Sequence, residues 1–156
     1  MSQLPPWDDL IAGKNCPLCA PREDENAFSI KIADLDASTL YLERDQTHPG
    51  YCVLIYKERH VTGLEQLHLD EHARFAADMH KAAKAVARAT GADHMNYATL
   101  GNMIPHLHYH IIPRYKNDPR WGAPVWVTHL RNMPHTVKKD AEYHDMIGKI
   151  RKELGA

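Results

Sequence analysis

The sequence predicts an α+β fold: a single domain with an antiparallel sheet of about five strands and two helices packed against it. Three observations lead there. Five short segments alternate apolar and polar residues, and two longer ones repeat apolar residues at helical spacing. Their order is strands, helix, strands, helix, with gaps short enough for hairpins. A chain of 156 residues buries a sizeable core, so residues 1–156 are taken as one unit, with a core over about 14–127 and a C-terminal helix over about 139–154.

After a proline-rich entry (Pro5, Pro6, Pro17, Pro21), AFSIKIA places Phe28, Ile30 and Ile32 on one side of a first strand. TLYLER, residues 39–44, follows as a second. Pro49-Gly50 turns the chain into a third, YCVLIY, residues 51–56. The first long helix opens on Asp70 and Glu71, where the helix dipole favours negative charge. Its stripe is Phe75, Met79, Ala82, Ala83 and Val86, and Gly91 stops it. His72 and His80 fall on its solvent side or rim. MNYATL (95–100) and HLHYHIIP (106–113) read as the fourth and fifth strands, with a turn or bulge at Gly101-Asn102. DAEYHDMIGKIRKEL is the second helix, its stripe formed by Tyr143, Met146, Ile147, Ile150 and Leu154.

A net charge of −1 gives no overall attraction to nucleic acid or an anionic membrane, and no basic stripe is present, so neither is expected as a partner. No apolar run approaches the roughly 18 residues of a membrane span. The opening MSQLPPWDDL does not resemble a signal peptide, which makes the cytoplasm the expected location. Three cysteines, an odd number, argue against a disulfide scaffold. Cys52, inside YCVLIY, reads as a small buried hydrophobe. Cys16-Pro17-Leu18-Cys19 lies in a proline-flanked loop and is compatible with a redox, metal-binding or incidental role.

The most informative stretch is IPHLHYHIIPRY, with His106, His108 and His110 at alternate positions. In a strand these share one face, about 7 Å apart, while Leu107, Tyr109 and Ile111 face the helices. Imidazole is the side chain that titrates near neutrality, so it serves as nucleophile, base or acid at physiological pH. One strand face carrying three of them is suited to covalent catalysis.

The segment from His106 to Ile112 is similar to the signature of the histidine triad (HIT) family, His-φ-His-φ-His-φ-φ, where φ is hydrophobic. LGNMIPHLHYHIIPRYKNDPRWGAPVW, the CPLC segment and PGYCVLIYKERHV extend the resemblance over roughly residues 14 to 127, towards a bacterial, zinc-bearing branch akin to dinucleoside polyphosphate hydrolases. It implies a HIT-like fold, a purine nucleotide substrate and cleavage at the α-phosphate through a nucleotidyl-histidine that water resolves. His108 then matches the nucleophile. His110 matches the residue that contacts the phosphate and helps the leaving group; in the related nucleotidyltransferases that position is Gln, so histidine favours a hydrolase.

The resemblance extends to the surroundings. Glu43 stands at the position of a ribose-binding acid, with a solvated strand-end role as the alternative. Asn96 and Asn102 fall near amides beside the phosphate, or serve turns. Trp121 and Trp126 belong to a segment that reaches the neighbouring subunit in a family where homodimers are usual, or they pack in the core. Arg114 is either a phosphate ligand or an ordinary surface residue. Zinc-bearing members use four positions that here are Cys16, Cys19, His60 and His106, a set with the mixed Cys/His chemistry of structural zinc. The departure is Tyr51, where many relatives carry a fourth histidine after Pro-Gly. A phenol donates hydrogen bonds to phosphate or imidazole but does not become a cation near neutral pH. Tyr51 also favours an alternative to the hydrolase, a zinc-stabilised nucleotide-binding or regulatory module with weak activity.

Overall fold

A computed structural model describes residues 4–126 and 135–156. Val127, the last residue of the expected core, lies outside them. In chain order the elements are α1 (Trp7–Ile11), β1 (Ser29–Asp34), β2 (Ser38–Glu43), β3 (Cys52–Tyr56), α2 (Leu69–Thr90), β4 (His94–Ala98), β5 (His108–Arg114) and α3 (Asp140–Leu154). The five strands form one sheet in the order β1-β2-β3-β5-β4, with every neighbouring pair antiparallel. This is the predicted α+β architecture, with the triad strand between β3 and β4.

The alternation of β5 divides the sheet into two faces. Leu107 and Ile111 are buried against Tyr56, Phe75, Tyr143, Ile147 and Ile150, in a core closed by α2 and α3. Phe75 lies at the centre, meeting Tyr56 edge-on at 5.4 Å and Tyr109 at 5.6 Å. The start of α2 is fixed by Glu71, whose carboxylate accepts from the His68 N–H and the Arg59 guanidinium. Its end is fixed by Gly91, which adopts the left-handed conformation that lets the last carbonyls be capped. Inside the helix, the buried Asp78 carboxylate accepts from the Asp36 and Ala37 N–H groups and the Ser38 hydroxyl, locking α2 onto the β1–β2 turn.

Four expectations need correction. Phe28 is 75% exposed and precedes β1, because the Asn26 side chain accepts from the Phe28 and Ser29 N–H groups and turns the chain there. On α2 it is Ala85, with Ala82 and Val86, that is buried, while Ala83 is only partly covered. The short helix α1 was not anticipated; five residues are too few for periodicity to show. Finally, β5 begins at His108, not His106. His106 sits in the turn entering the strand, its N–H bonded to the Ile104 carbonyl. His72 and His80 are exposed, as expected. Among the described residues, no helix is long and apolar enough to cross a membrane.

Candidate active site

The sheet face opposite the helices carries the histidines. Cross-strand register puts Tyr41, Val53, His110 and Ala98 in one row and Thr39, Ile55 and His108 in the next. Tyr41, Val53 and Ile55 form a small buried apolar patch beside the imidazoles, with Leu18 and Tyr51 packed on it.

Hydrogen bonds fix the protons of His108 and His110. His108 Nδ1 lies 2.6 Å from the His106 carbonyl, which only accepts, so Nδ1 carries the proton. Burial holds His108 below the usual histidine range against that hydrogen bond, so the ring is neutral and Nε2 keeps its lone pair. His110 Nε2 is 3.1 Å from that lone pair and therefore donates to it. His110 Nδ1, left as an acceptor, lies 2.6 Å from the Tyr51 hydroxyl, which donates. Burial and then the neighbouring His108 push His110 down to about 3, while burial raises the Tyr51 phenol far above neutrality. The chain Tyr51 to His110 to His108 to the His106 carbonyl is thus uncharged and runs in one direction.

His106 faces the other way, into a cluster with Cys16, Cys19 and His60 whose ligand atoms all lie within 4.8 Å of one another. His106 Nε2 donates to the Tyr56 carbonyl at 2.7 Å and His60 Nε2 to the Ile11 carbonyl at 3.2 Å. Both Nδ1 lone pairs therefore point at the thiols: Cys19 Sγ is 3.2 Å from His60 Nδ1 and 3.3 Å from His106 Nδ1, and Cys16 Sγ is 3.7 Å from His106 Nδ1. A tetrahedral zinc ion, with bonds of about 2.0–2.3 Å, sets its ligand atoms about 3.3–3.8 Å apart. The donor set and its carbonyl-oriented imidazoles fit such an ion. Burial first, and then Cys16, pushes the Cys19 thiol up to about 11, a cost that a bound cation would reverse.

The other anticipated residues are distributed around this centre. Tyr51 continues β3 opposite Glu43, whose N–H donates to the Tyr51 carbonyl. Burial raises the Glu43 carboxyl to about 7, with Arg22 opposing and Asp45 reinforcing the shift. Trp126 lies against His110, ring centres 4.9 Å apart. It also borders a cavity of about 640 Å³ between β4 and residues 121–126. Asn96 lines that cavity, its carbonyl oxygen held by Arg114 at 2.6 Å, which leaves the amide nitrogen unbonded by that contact. Asn102 is exposed in the loop before β5. Arg114 is 3% exposed, and all five of its N–H groups serve Asp118, Asn96, Ala123 and Arg120. It organises the loop carrying Trp121 and Trp126, and no donor remains for a phosphate.

Comparison with known proteins gives the family and the fold. Residues 25–117 match the family model described as HIT domain. The chain belongs to the HIT family. This HIT protein is 27% identical over 145 residues to adenylylsulfatase HINT3 of Arabidopsis thaliana, covering 90% of this chain and 70% of that one. A histidine triad protein from Bradyrhizobium japonicum superimposes with a TM-score of 0.76 at 25% identity, over 88% of this chain and 99% of that one. A zinc-bound histidine triad protein from Mycobacterium smegmatis shares the fold, with a TM-score of 0.57 at 23% identity over 83% and 86%.

Chemically, the HIT site offers a buried neutral imidazole nitrogen as nucleophile and a neutral N–H donor beside it. Sequence reasoning missed the apolar patch of Leu18, Tyr41, Val53 and Ile55, together with Arg22, whose guanidinium lies 4.8 Å from the Tyr41 ring centre. The alternation of Tyr41 with Glu43 and of Val53 with Ile55 was visible. Which of their faces met the histidines depended on the register.

Proposed function

We propose that this HIT protein hydrolyses nucleotides at the α-phosphate, releasing a nucleoside monophosphate from a dinucleoside polyphosphate, nucleoside phosphoramidate or adenylylated compound. The observation that carries the reading is the His108 Nε2 lone pair, fixed by the Nδ1–H bond to the His106 carbonyl and flanked by the His110 N–H. Nε2 attacks the α-phosphorus as the bond to the leaving group breaks, its electron pair departing with that group. The positive charge developing on the ring is stabilised by the His106 carbonyl, and the His110 N–H swings to the leaving atom. Water then forms the new P–O bond and releases its proton to solvent, and the N–P electron pair returns to Nε2. The adenylylsulfatase relative supports an adenylylated substrate.

Glu43 binds the ribose, and the apolar patch takes a purine base. Asn96, Asn102 and Trp126 border the substrate, with Tyr51 behind His110. Cys16, Cys19, His60 and His106 hold a structural zinc ion, which would tie the N-terminal loop to the entry of β5. The whole chain, 1–156, acts as one domain in a cytoplasmic homodimer. Replacing His108 by Ala tests the mechanism: monophosphate release should vanish, and undiminished hydrolysis would sink it. The second reading, a zinc-stabilised nucleotide-binding module, draws on Tyr51 and on the His110 hydrogen bond that masks the nucleophile at rest. A pre-steady-state burst of leaving group supports the enzyme; stoichiometric nucleotide binding without a burst supports the module.

A further inference from the structure

Resting on the hydrolase reading, we infer that Tyr51 is a positioning residue that holds His110 as a neutral Nε2–H donor, so that the site takes mixed anhydrides and not phosphoramidates. The substrates it favours are those whose leaving group departs as a stable anion, phosphate or sulfate. The geometry is specific. The phenol reaches His110 Nδ1 at 2.6 Å and His110 Nε2 reaches the nucleophile at 3.1 Å. The tilted Tyr51 and His110 rings are 5.9 Å apart. An imidazole whose Nδ1 accepts from a phenol must carry its proton on Nε2.

Such a ring has a hydrogen bond to give but no proton to transfer. Losing the Nε2 proton would make an imidazolate, unless the buried phenol became a phenolate in exchange. The apolar setting opposes both: Trp126 covers His110 on one side, and Tyr51 packs on Val53 and its neighbours. Glu43, on the same sheet face as Tyr51, adds no positive charge that would favour a phenolate. The leaving atom therefore departs with its electron pair and only a hydrogen bond from His110. A phosphate or sulfate oxygen tolerates that departure. An amine does not, because it must acquire a proton before or as the P–N bond breaks.

The experiment compares two adenylates that share the AMP moiety, an adenylyl sulfate and an AMP–lysine phosphoramidate, on the wild-type protein and on Tyr51→Phe. Wild-type kcat/KM should favour the anhydride by about a hundredfold or more. Tyr51→Phe should lower kcat on the anhydride by about tenfold with KM nearly unchanged, since the lost contact acts through His110 and not on the substrate. Nitrogen NMR of the labelled imidazoles, on resting protein, should find His110 unprotonated at Nδ1 in the wild type and mixed between tautomers in Tyr51→Phe. A phosphoramidate cleaved as fast as the anhydride overturns the inference, as does a His110 protonated at Nδ1 in the wild type. AMP release from neither substrate overturns the hydrolase reading itself, and the substrate class with it. The NMR result then still decides whether Tyr51 sets the tautomer.

Discussion

His106 and His110 stand on either side of His108, yet each uses its two nitrogens in the opposite sense. His106 gives Nε2–H to the Tyr56 carbonyl and turns a lone pair on Nδ1 towards two thiols. His110 receives the Tyr51 phenol on Nδ1 and presents an N–H from Nε2 to His108. A carbonyl partner makes an imidazole a ligand at its other nitrogen; a phenol partner makes it a donor there. Residue type and spacing are shared, so the atom one shell out assigns the role. His108 is held by a carbonyl as His106 is, but its free nitrogen faces the His110 N–H and not the thiols; it is the nucleophile we propose.

The contrast can be broken in several ways. The largest effect is expected from His108→Ala, which should lower turnover by at least about a thousandfold without altering the fold by circular dichroism. His106→Ala or Cys16→Ser should abolish stoichiometric zinc in metal analysis and lower stability by several kcal/mol, on the order expected for a structural site. Full zinc content in His106→Ala would show that His106 is not a zinc ligand. The helix-facing side of the sheet provides a control. Asp78→Ala strands the Asp36 and Ala37 N–H groups and the Ser38 hydroxyl, and should cost about 3 kcal/mol in denaturant unfolding with kcat unchanged.

The smallest effect concerns Glu43. Its carboxyl stands at about 7 in the folded chain against 4.5 ordinarily, so the folded state holds a proton that the unfolded chain releases between those values. Stability from this group is therefore greatest below about pH 4.5 and is lost as pH rises through about 7. Glu43→Gln should match the wild type in acid and exceed it by about 1–3 kcal/mol at pH 8. A variant less stable than the wild type at pH 8 would show that the carboxylate is stabilised by a partner and not strained by burial.

Much of this was legible in the chain. Alternation located β2, β3 and β5 to within a residue or two, and helical spacing located α2 and α3, because each buries a continuous apolar stripe. The Cys/His cluster could be named in advance through the resemblance to zinc-bearing HIT proteins, since chemistry alone does not pick His60 and His106 from twelve histidines. Three features depended on hydrogen bonds that no periodicity encodes. Asn26 delays the start of β1 to Ser29 and leaves Phe28 exposed. The turn at Ile104 keeps His106 out of the strand. Arg114 pairs with Asn96 and Asp118 and so has no donor left to offer a phosphate. The last pairing needs the β4–β5 register, in which His94 stands opposite Arg114 and Asn96 opposite Ile112.

The central claim is that three histidines of one short stretch have three roles, with the covalent one at His108. Mass spectrometry of the protein, quenched in base within the first turnover of an adenylyl anhydride, tests it most directly. The account predicts a single AMP adduct on His108 in the wild type, absent from His108→Ala. An adduct on His106 or His110, or turnover without any adduct, would contradict it.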